Sequence, residues 1–84
     1  MNVQRLKWAC RRGMLELDLV LEPFMENIFS TLSDEDKLRF EKLLENEDQD
    51  LFNWFLRKGN PSDEDDLHIV EIIRKNTGLQ PEDL

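Results

Sequence analysis

Cys10 and His68 are the side chains of this 84-residue chain whose types most often serve nucleophilic catalysis or zinc binding. A zinc site needs three or four such ligands, and the sequence has one cysteine and one histidine, far apart. No signature pairs Cys10 with His68 as nucleophile and base, so we expect no metal site and no catalytic residue. Cys10 is predicted to be a small core residue and His68 a surface or half-buried one. An enzyme with Cys10 as nucleophile stays open as an alternative that needs a reactive thiol.

The acidic runs 34–36 and 63–66 are the other groups of potential ligands. Both fit the first turn of a helix, where carboxylates face the positive end of the helix dipole. The segment from Asp34 to Glu45 loosely resembles a calcium loop, but Arg39 stands where that loop needs glycine. The three glycines are isolated, so no phosphate-binding loop is present.

Charge is distributed unevenly along the chain. The first twelve residues contain Arg5, Lys7, Arg11 and Arg12 and no acid, whereas the whole chain carries a net charge of −8. An acidic body argues against general nucleic-acid binding, which depends on neutralising phosphates. A short basic patch on such a body suits a protein partner of complementary charge.

Length and composition predict one domain over residues 1–84, with residues 79–84 as a loose tail. A single cysteine allows no internal disulfide and fits a reducing compartment. No apolar run reaches the roughly 18 residues that span a bilayer, and the N-terminus has no apolar signal core. We therefore expect a cytoplasmic protein without membrane insertion.

Apolar spacing and capping residues predict five short helices joined by short loops. Ser33, Asp48 and Ser62 are expected to cap the third, fourth and fifth helices. Gly13 should end the first helix in a left-handed conformation, and Pro23 should kink or break the second. No segment indicates a strand or hairpin, so the fold class is all-α, a small bundle of five short helices. The predicted helices are 3–12, 14–29, 34–45, 49–58 and 63–75.

Two interpretations of Gly13 remain open at this point. Gly13 is either only a helix junction or also a spot without a side chain, where the backbone of another protein can approach closely. In the second case Arg11, Arg12, Glu16 and Asp18 would supply charged contacts around it. Trp8 either packs on a neighbouring helix or anchors a partner, since tryptophan is enriched at binding hot spots.

The stretch from Trp8 to Asp18, WACRRGMLELD, resembles the signature of the succinate dehydrogenase flavinylation (assembly) factor family, the SdhE type. Its Arg-Gly-x-x-Glu motif is matched by Arg12, Gly13 and Glu16, and the likeness continues through the later block DLFNW at 50–54. The resemblance implies a five-helix bundle that helps attach FAD covalently to the flavoprotein subunit of succinate dehydrogenase or, in bacteria, of fumarate reductase. The bond would form within that subunit, between a histidine and the isoalloxazine ring.

Together, the residues and the resemblance indicate a non-enzymatic assembly factor, or chaperone, of the bacterial cytoplasm, monomeric when free. It would bind no cofactor itself, because FAD belongs to the flavoprotein partner, and it would bind neither metal nor nucleic acid. An antitoxin-like regulatory protein that binds a toxin is the alternative. The predicted partner-binding residues are Trp8, Arg11, Arg12, Gly13, Glu16 and Asp18.

Overall fold

Five α-helices and one short 3-10 turn form the part of the chain that this computed structural model describes, residues 2–77. No strand occurs within those residues, which confirms the all-α prediction. The predicted loose segment 79–84 lies outside the described residues. The helices are α1 (Val3–Ala9), α2 (Leu15–Asn27), α3 (Asp34–Leu43), α4 (Asp48–Phe55) and α5 (Glu64–Thr77), and the 3-10 turn is Phe29–Thr31.

Helices α2 and α5 are the central elements, since α5 packs against α2, α3 and α4. Helix α2 also packs against α4 and the 3-10 turn. Its inner face carries Leu17, Leu21 and Phe24, all at most 2% exposed. The ring of Phe24 lies 5.2 Å from that of Phe40 on α3, centre to centre. The core thus forms where α2 meets the later helices, with these further buried residues: Val20, Met25, Phe29, Leu43, Leu51, Phe55, Ile69, Val70 and Ile73.

Pro23 does not break α2. The helix continues through it to Asn27, so of the two predicted outcomes, a kink or a break, the break does not occur. Proline lacks the N–H that would bond the carbonyl of Leu19 one turn earlier. Both Pro23 and Leu19 are exposed, and water can satisfy that carbonyl at the surface.

Two of the three predicted helix starts differ from the observed ones. The Ser33 hydroxyl accepts the backbone N–H of Asp36 at 3.1 Å, so this cap is confirmed. For α5, however, Asp63 rather than Ser62 is the cap, and its carboxylate accepts the N–H groups of two residues of the first turn. The Asp48 side chain caps nothing; Asp48 is the first residue of α4, and its carboxylate binds elsewhere.

The end of α4 also differs from the prediction, because the helix ends at Phe55 and not at residue 58. Arg57, with φ of 61°, adopts a left-handed conformation directly after the end of the helix. The N–H of Arg57 bonds the carbonyl of Trp54 at 3.1 Å, and that of Lys58 bonds Asn53 at 2.9 Å. This pair of bonds is a Schellman motif, which closes a helix wherever a residue can adopt positive φ.

Helix α1 is short and is held by few side chains. It ends at Ala9, three residues before the predicted end, and only Leu6 and the following Cys10 are buried deeply. Val3, the first residue of the helix, is 45% exposed. Within residues 2–77, no helix combines the length and the apolar character needed to cross a bilayer.

Candidate protein-binding site around Gly13

Gly13 lies at the surface in the link between α1 and α2, defined here as the Gly13 loop, residues 10–14. Its φ of +78° confirms the predicted left-handed conformation. Because α1 already ends at Ala9 with Cys10 as its cap, Gly13 does not close that helix as predicted. A Cβ atom added to Gly13 would meet nothing within 4 Å. The position is therefore an exposed backbone without a side chain.

Arg12 points into the molecule and ties the Gly13 loop to the loop between α3 and α4. Its guanidinium donates to the Asp48 carboxylate at 2.7 Å and to the carbonyl of Leu44 at 2.8 Å. It also donates to the carbonyls of Asn46 at 2.8 Å and Ala9 at 3.1 Å. Its side chain is 16% exposed. Planar guanidinium is suited to this task because its donors are fixed in a fork.

We call the hydrogen bonds of Arg12 to the chain between α3 and α4 the brace of the Gly13 loop. Two further residues, Asp18 and Asn46, stabilise it. An Asp18 carboxylate oxygen accepts the backbone N–H of Arg12 at 3.1 Å, so the start of α2 is bonded back to the loop. The Asn46 side chain donates to the carbonyl of Leu43 at 2.9 Å and to the buried carboxylate of Asp66 at 3.2 Å. The backbone on both sides of Gly13 is therefore restrained in the free protein.

Trp8 and Arg11 face outward beside the brace. Trp8 is 72% exposed, so it does not pack on a neighbouring helix, which was one of its two predicted roles. The guanidinium of Arg11 lies 5.6 Å from the centre of the Trp8 ring, a cation–π distance. It also approaches the Glu22 carboxylate on α2 at 3.9 Å. These side chains form an exposed border of mixed charge next to Gly13.

The six predicted residues thus divide into two groups. Trp8, Arg11 and Gly13 face solvent, whereas Arg12 is directed inward, and Glu16 and Asp18 are half-buried at the start of α2.

Three residues that sequence reasoning left out also belong here: Asp48, Leu15 and Leu19. Leu15 and Leu19 are 67% and 60% exposed on the outer side of α2. A helical projection of α2 would have found both, because Leu17 and Leu21 fix the buried face.

A shallow groove beside the loop is lined by Lys7, Cys10, Arg11, Glu22, Met25 and Glu26, with a volume of about 150 Å³. Cys10 itself is 1% exposed, as predicted for a core residue. Burial raises the pKa of its thiol to about 11, because a thiolate is poorly stabilised away from water. The nearby charge of Arg12 lowers the pKa of the thiol, but burial outweighs it, so the thiol stays protonated, unlike that of a catalytic cysteine.

Cys10 in the folded protein is expected to react with iodoacetamide at pH 8 about 100-fold more slowly than in urea. A pKa of about 11 instead of 9.0 lowers the thiolate fraction by that factor, and burial adds a steric barrier. Mass spectrometry of timed samples measures both rates. Equal rates would show a reactive thiol and restore the enzyme alternative.

Comparison with known proteins assigns this architecture to a family. Residues 4–77 match the Sdh5 family, described as "Flavinator of succinate dehydrogenase". The chain is 49% identical over 80 residues to the FAD assembly factor SdhE of a Serratia species, which covers 92% of this chain and 91% of that protein. It is 51% identical over 72 residues to the protein of the same name from Pseudomonas aeruginosa, covering 86% of each. A third FAD assembly factor SdhE, from Shewanella oneidensis, is 59% identical over 56 residues, covering 67% of this chain and 68% of that one.

The family is named for assembly and not for a catalysed reaction of its own, in agreement with the expectation that the chain is not an enzyme. The match spans the Gly13 loop and its brace to α3 and α4 alike. This chain, with its exposed Gly13 and the hydrogen-bonded loop around it, therefore belongs to the family of FAD assembly factors described as flavinators of succinate dehydrogenase.

Proposed function

We propose that this chain binds the flavoprotein subunit of succinate dehydrogenase and promotes covalent attachment of FAD to it. The related flavoprotein subunit of fumarate reductase is proposed as a second partner. The Gly13 loop is the proposed contact, with Trp8, Arg11 and Glu16 around it. The names of the relatives support the assembly role.

The observation that carries the proposal is the state of Gly13 in the free protein. It is exposed, it has a left-handed backbone, and its neighbour Arg12 is fixed by four hydrogen bonds. A loop that is already ordered loses little conformational entropy on binding. A backbone without a side chain can enter a narrow cleft and offer its peptide groups to the partner.

Charge and aromatic surface around the loop suggest how the partner is recognised. Arg5, Lys7 and Arg11 are exposed on or next to α1, and Trp8 stands among them. We expect an acidic surface on the flavoprotein opposite α1, because complementary charge gives specificity and speeds association. Trp8 would then be the central anchor, since tryptophan buries a large area at little entropic cost.

The proposed mechanism uses no catalytic group from this chain. When bound to the partner, FAD would supply the reactive ring and a histidine of the partner would supply the nitrogen that bonds to it. The C–H and N–H bonds that break would release two protons, and the flavin itself would take up the two electrons. The inserted loop would hold the domains of the flavoprotein so that these atoms are aligned. Positioning of this kind lowers a barrier by removing translational and rotational freedom before the reaction.

FAD is proposed to stay with the partner. The groove next to the Gly13 loop has a volume of about 150 Å³, below the roughly 300–1,000 Å³ usual for small-molecule sites. Its lining mixes Lys7 and Arg11 with Glu22 and Glu26, and the two acids would oppose a pyrophosphate. We further propose that the protein works in the bacterial cytoplasm and is a monomer when free; the matched relatives support only the bacterial origin.

Deleting the gene from the bacterium that encodes it tests the proposed function. In-gel flavin fluorescence of the succinate dehydrogenase flavoprotein is expected to fall several-fold and to return with a plasmid copy of the gene. The fumarate reductase subunit, examined in the same gel, tests the second partner. Unchanged fluorescence of both subunits would contradict the proposal. Recovery of a toxin-like protein and no flavoprotein in a pull-down would support the antitoxin alternative instead.

A further inference from the structure

Helix α2 carries leucine at every second position from 15 to 21. With 3.6 residues per turn, such a pattern cannot lie on one face of a helix. Leu17 and Leu21 are at most 1% exposed in the core, whereas Leu15 and Leu19 are 67% and 60% exposed. The second pair is therefore one turn apart on the outside of α2, and Leu15 is two residues from Gly13.

The surroundings of this pair join it to the candidate site. We call Leu15 and Leu19 the outer leucines. Glu22 follows Leu15 by seven positions and Leu19 by three, so it lies on the same side of α2. Glu22 approaches Arg11, which in turn stacks beside the exposed Trp8. On its other side Leu19 borders a groove of about 210 Å³ together with Pro23 and Ile28.

We propose that the outer leucines bind an apolar surface of the flavoprotein, next to the cleft that receives the Gly13 loop. This inference rests on the proposed function and adds a second, apolar contact to it. The partner surface is expected to carry aliphatic or aromatic side chains, one of which enters the groove at Leu19 and Pro23. Contact between two apolar surfaces is the most favourable for binding, because it removes the apolar area of both partners from water.

The outer leucines adjoin the Gly13 loop and cover only a small area. Both facts favour the flavoprotein over a second copy of the chain as the partner that binds them. Two leucines and a tryptophan cover far less than the ~1,000 Å² that a stable interface between two proteins needs. Alone they would not hold a dimer together. As one flank of a contact that also includes the Gly13 loop and the basic α1, they complete a patch of ordinary size. Its apolar centre and charged border match the usual anatomy of an interface.

The test compares the double variant Leu15→Gln/Leu19→Gln with Leu38→Gln. Leu38 on α3 is a matched control, since it is also 60% exposed but borders a groove with Val3, Phe29 and Lys37 instead of the Gly13 loop. Glutamine keeps the helix propensity of leucine and much of its length. Calorimetric titration of the purified flavoprotein subunit is expected to give a Kd roughly 10- to 100-fold higher for the double variant. Leu38→Gln should stay within about two-fold of the starting protein.

Circular dichroism and thermal unfolding confirm that each variant is folded, and the single variant Leu19→Gln replaces the double one if that is unfolded. Equal affinity of the double variant and the starting protein would overturn the inference. So would an equal loss for Leu38→Gln, which would show only general stickiness. A dimer in sedimentation that the double variant dissociates would assign the face to a second copy.

The variant Gly13→Arg, run in parallel, separates this inference from the proposed function. If Gly13→Arg abolishes binding and the leucine variants bind normally, the proposed function stands and the inference fails. If the starting protein does not bind the flavoprotein at all, the proposed function fails and the inference falls with it.

Discussion

Gly13→Arg is expected to abolish binding to the flavoprotein, with a loss of at least about 100-fold, while the variant remains folded. A Cβ at Gly13 meets nothing within 4 Å, so the free protein has room for the new side chain. The left-handed φ of +78° costs an L-residue roughly 1–2 kcal/mol, a fraction of the ~4–13 kcal/mol usual for a domain of this size. In the complex, the same side chain would occupy space that the proposed contact gives to the partner. Co-purification and calorimetry measure the loss.

Gly59→Arg is the matched control for this change. Gly59 also has a positive φ, of 156°, and open space around its Cβ, but it lies beyond α4 and outside the Gly13 loop. Both variants add one arginine to an exposed glycine of positive φ, so the added charge is the same, and the backbone at Gly59 is strained at least as much as that at Gly13. Only Gly13→Arg is expected to lose the partner. If Gly13→Arg unfolds, or if both variants bind equally well, Gly13 is a structural glycine and the site is elsewhere.

Gly13→Asn separates backbone strain from occupied space. Asparagine enters the left-handed region more readily than other L-residues, so its conformational cost is smaller. Its side chain is still large enough to clash in a close contact. An affinity between those of the starting protein and Gly13→Arg is expected. Binding that tracks the thermal stability of the variants, and not side-chain size, would contradict the assigned role.

Local features of the fold were predictable from the sequence, because local physics decides them. Ser33 caps α3 as its position before three acids indicated. The left-handed conformation of Gly13 was predicted as well, although the helix before it ends earlier than expected. At the start of α5 the prediction of Ser62 as the cap was wrong, because Asp63 beside it is an equally good cap and local preference does not separate the two.

Arg12 shows what the sequence could not reveal. Its neighbours in the sequence suggest an exposed charge, and we predicted a contact with the partner. Its acceptors Leu44, Asn46 and Asp48 lie 32 to 36 positions away, between the end of α3 and the first residue of α4, and their approach depends on how the helices pack. No local sequence pattern predicts a contact between residues so far apart in the chain. The predicted role of Asp48 was wrong for the same reason, because its carboxylate binds Arg12 and does not cap α4.

Arg12→Ala is expected to lower the free energy of unfolding by about 2–4 kcal/mol, and to weaken flavoprotein binding through a loosened loop. The substitution leaves the carbonyls of Leu44 and Asn46 without their donor and the Asp48 carboxylate without its cation. The buried Leu44 carbonyl would be left unsatisfied, which costs more than its bond contributes. The Asp48 carboxylate is 37% exposed, so water would replace part of its lost ion pair. Arg12→Lys should recover only part of the loss, because an ammonium cannot reproduce the fork of the guanidinium. Urea unfolding followed by circular dichroism measures the difference.

Arg11→Ala is the matched comparison, one position away and with the opposite exposure. The Arg11 side chain is 68% exposed, and its ion pair with Glu22 spans 3.9 Å, so the fold should lose little without it. Binding is nevertheless expected to weaken, because Arg11 faces the proposed partner beside Trp8. The two neighbours thus separate stability from recognition. If Arg11→Ala unfolds the protein, or if Arg12→Ala loses binding with full stability, these roles are reversed and Arg12 contacts the partner directly.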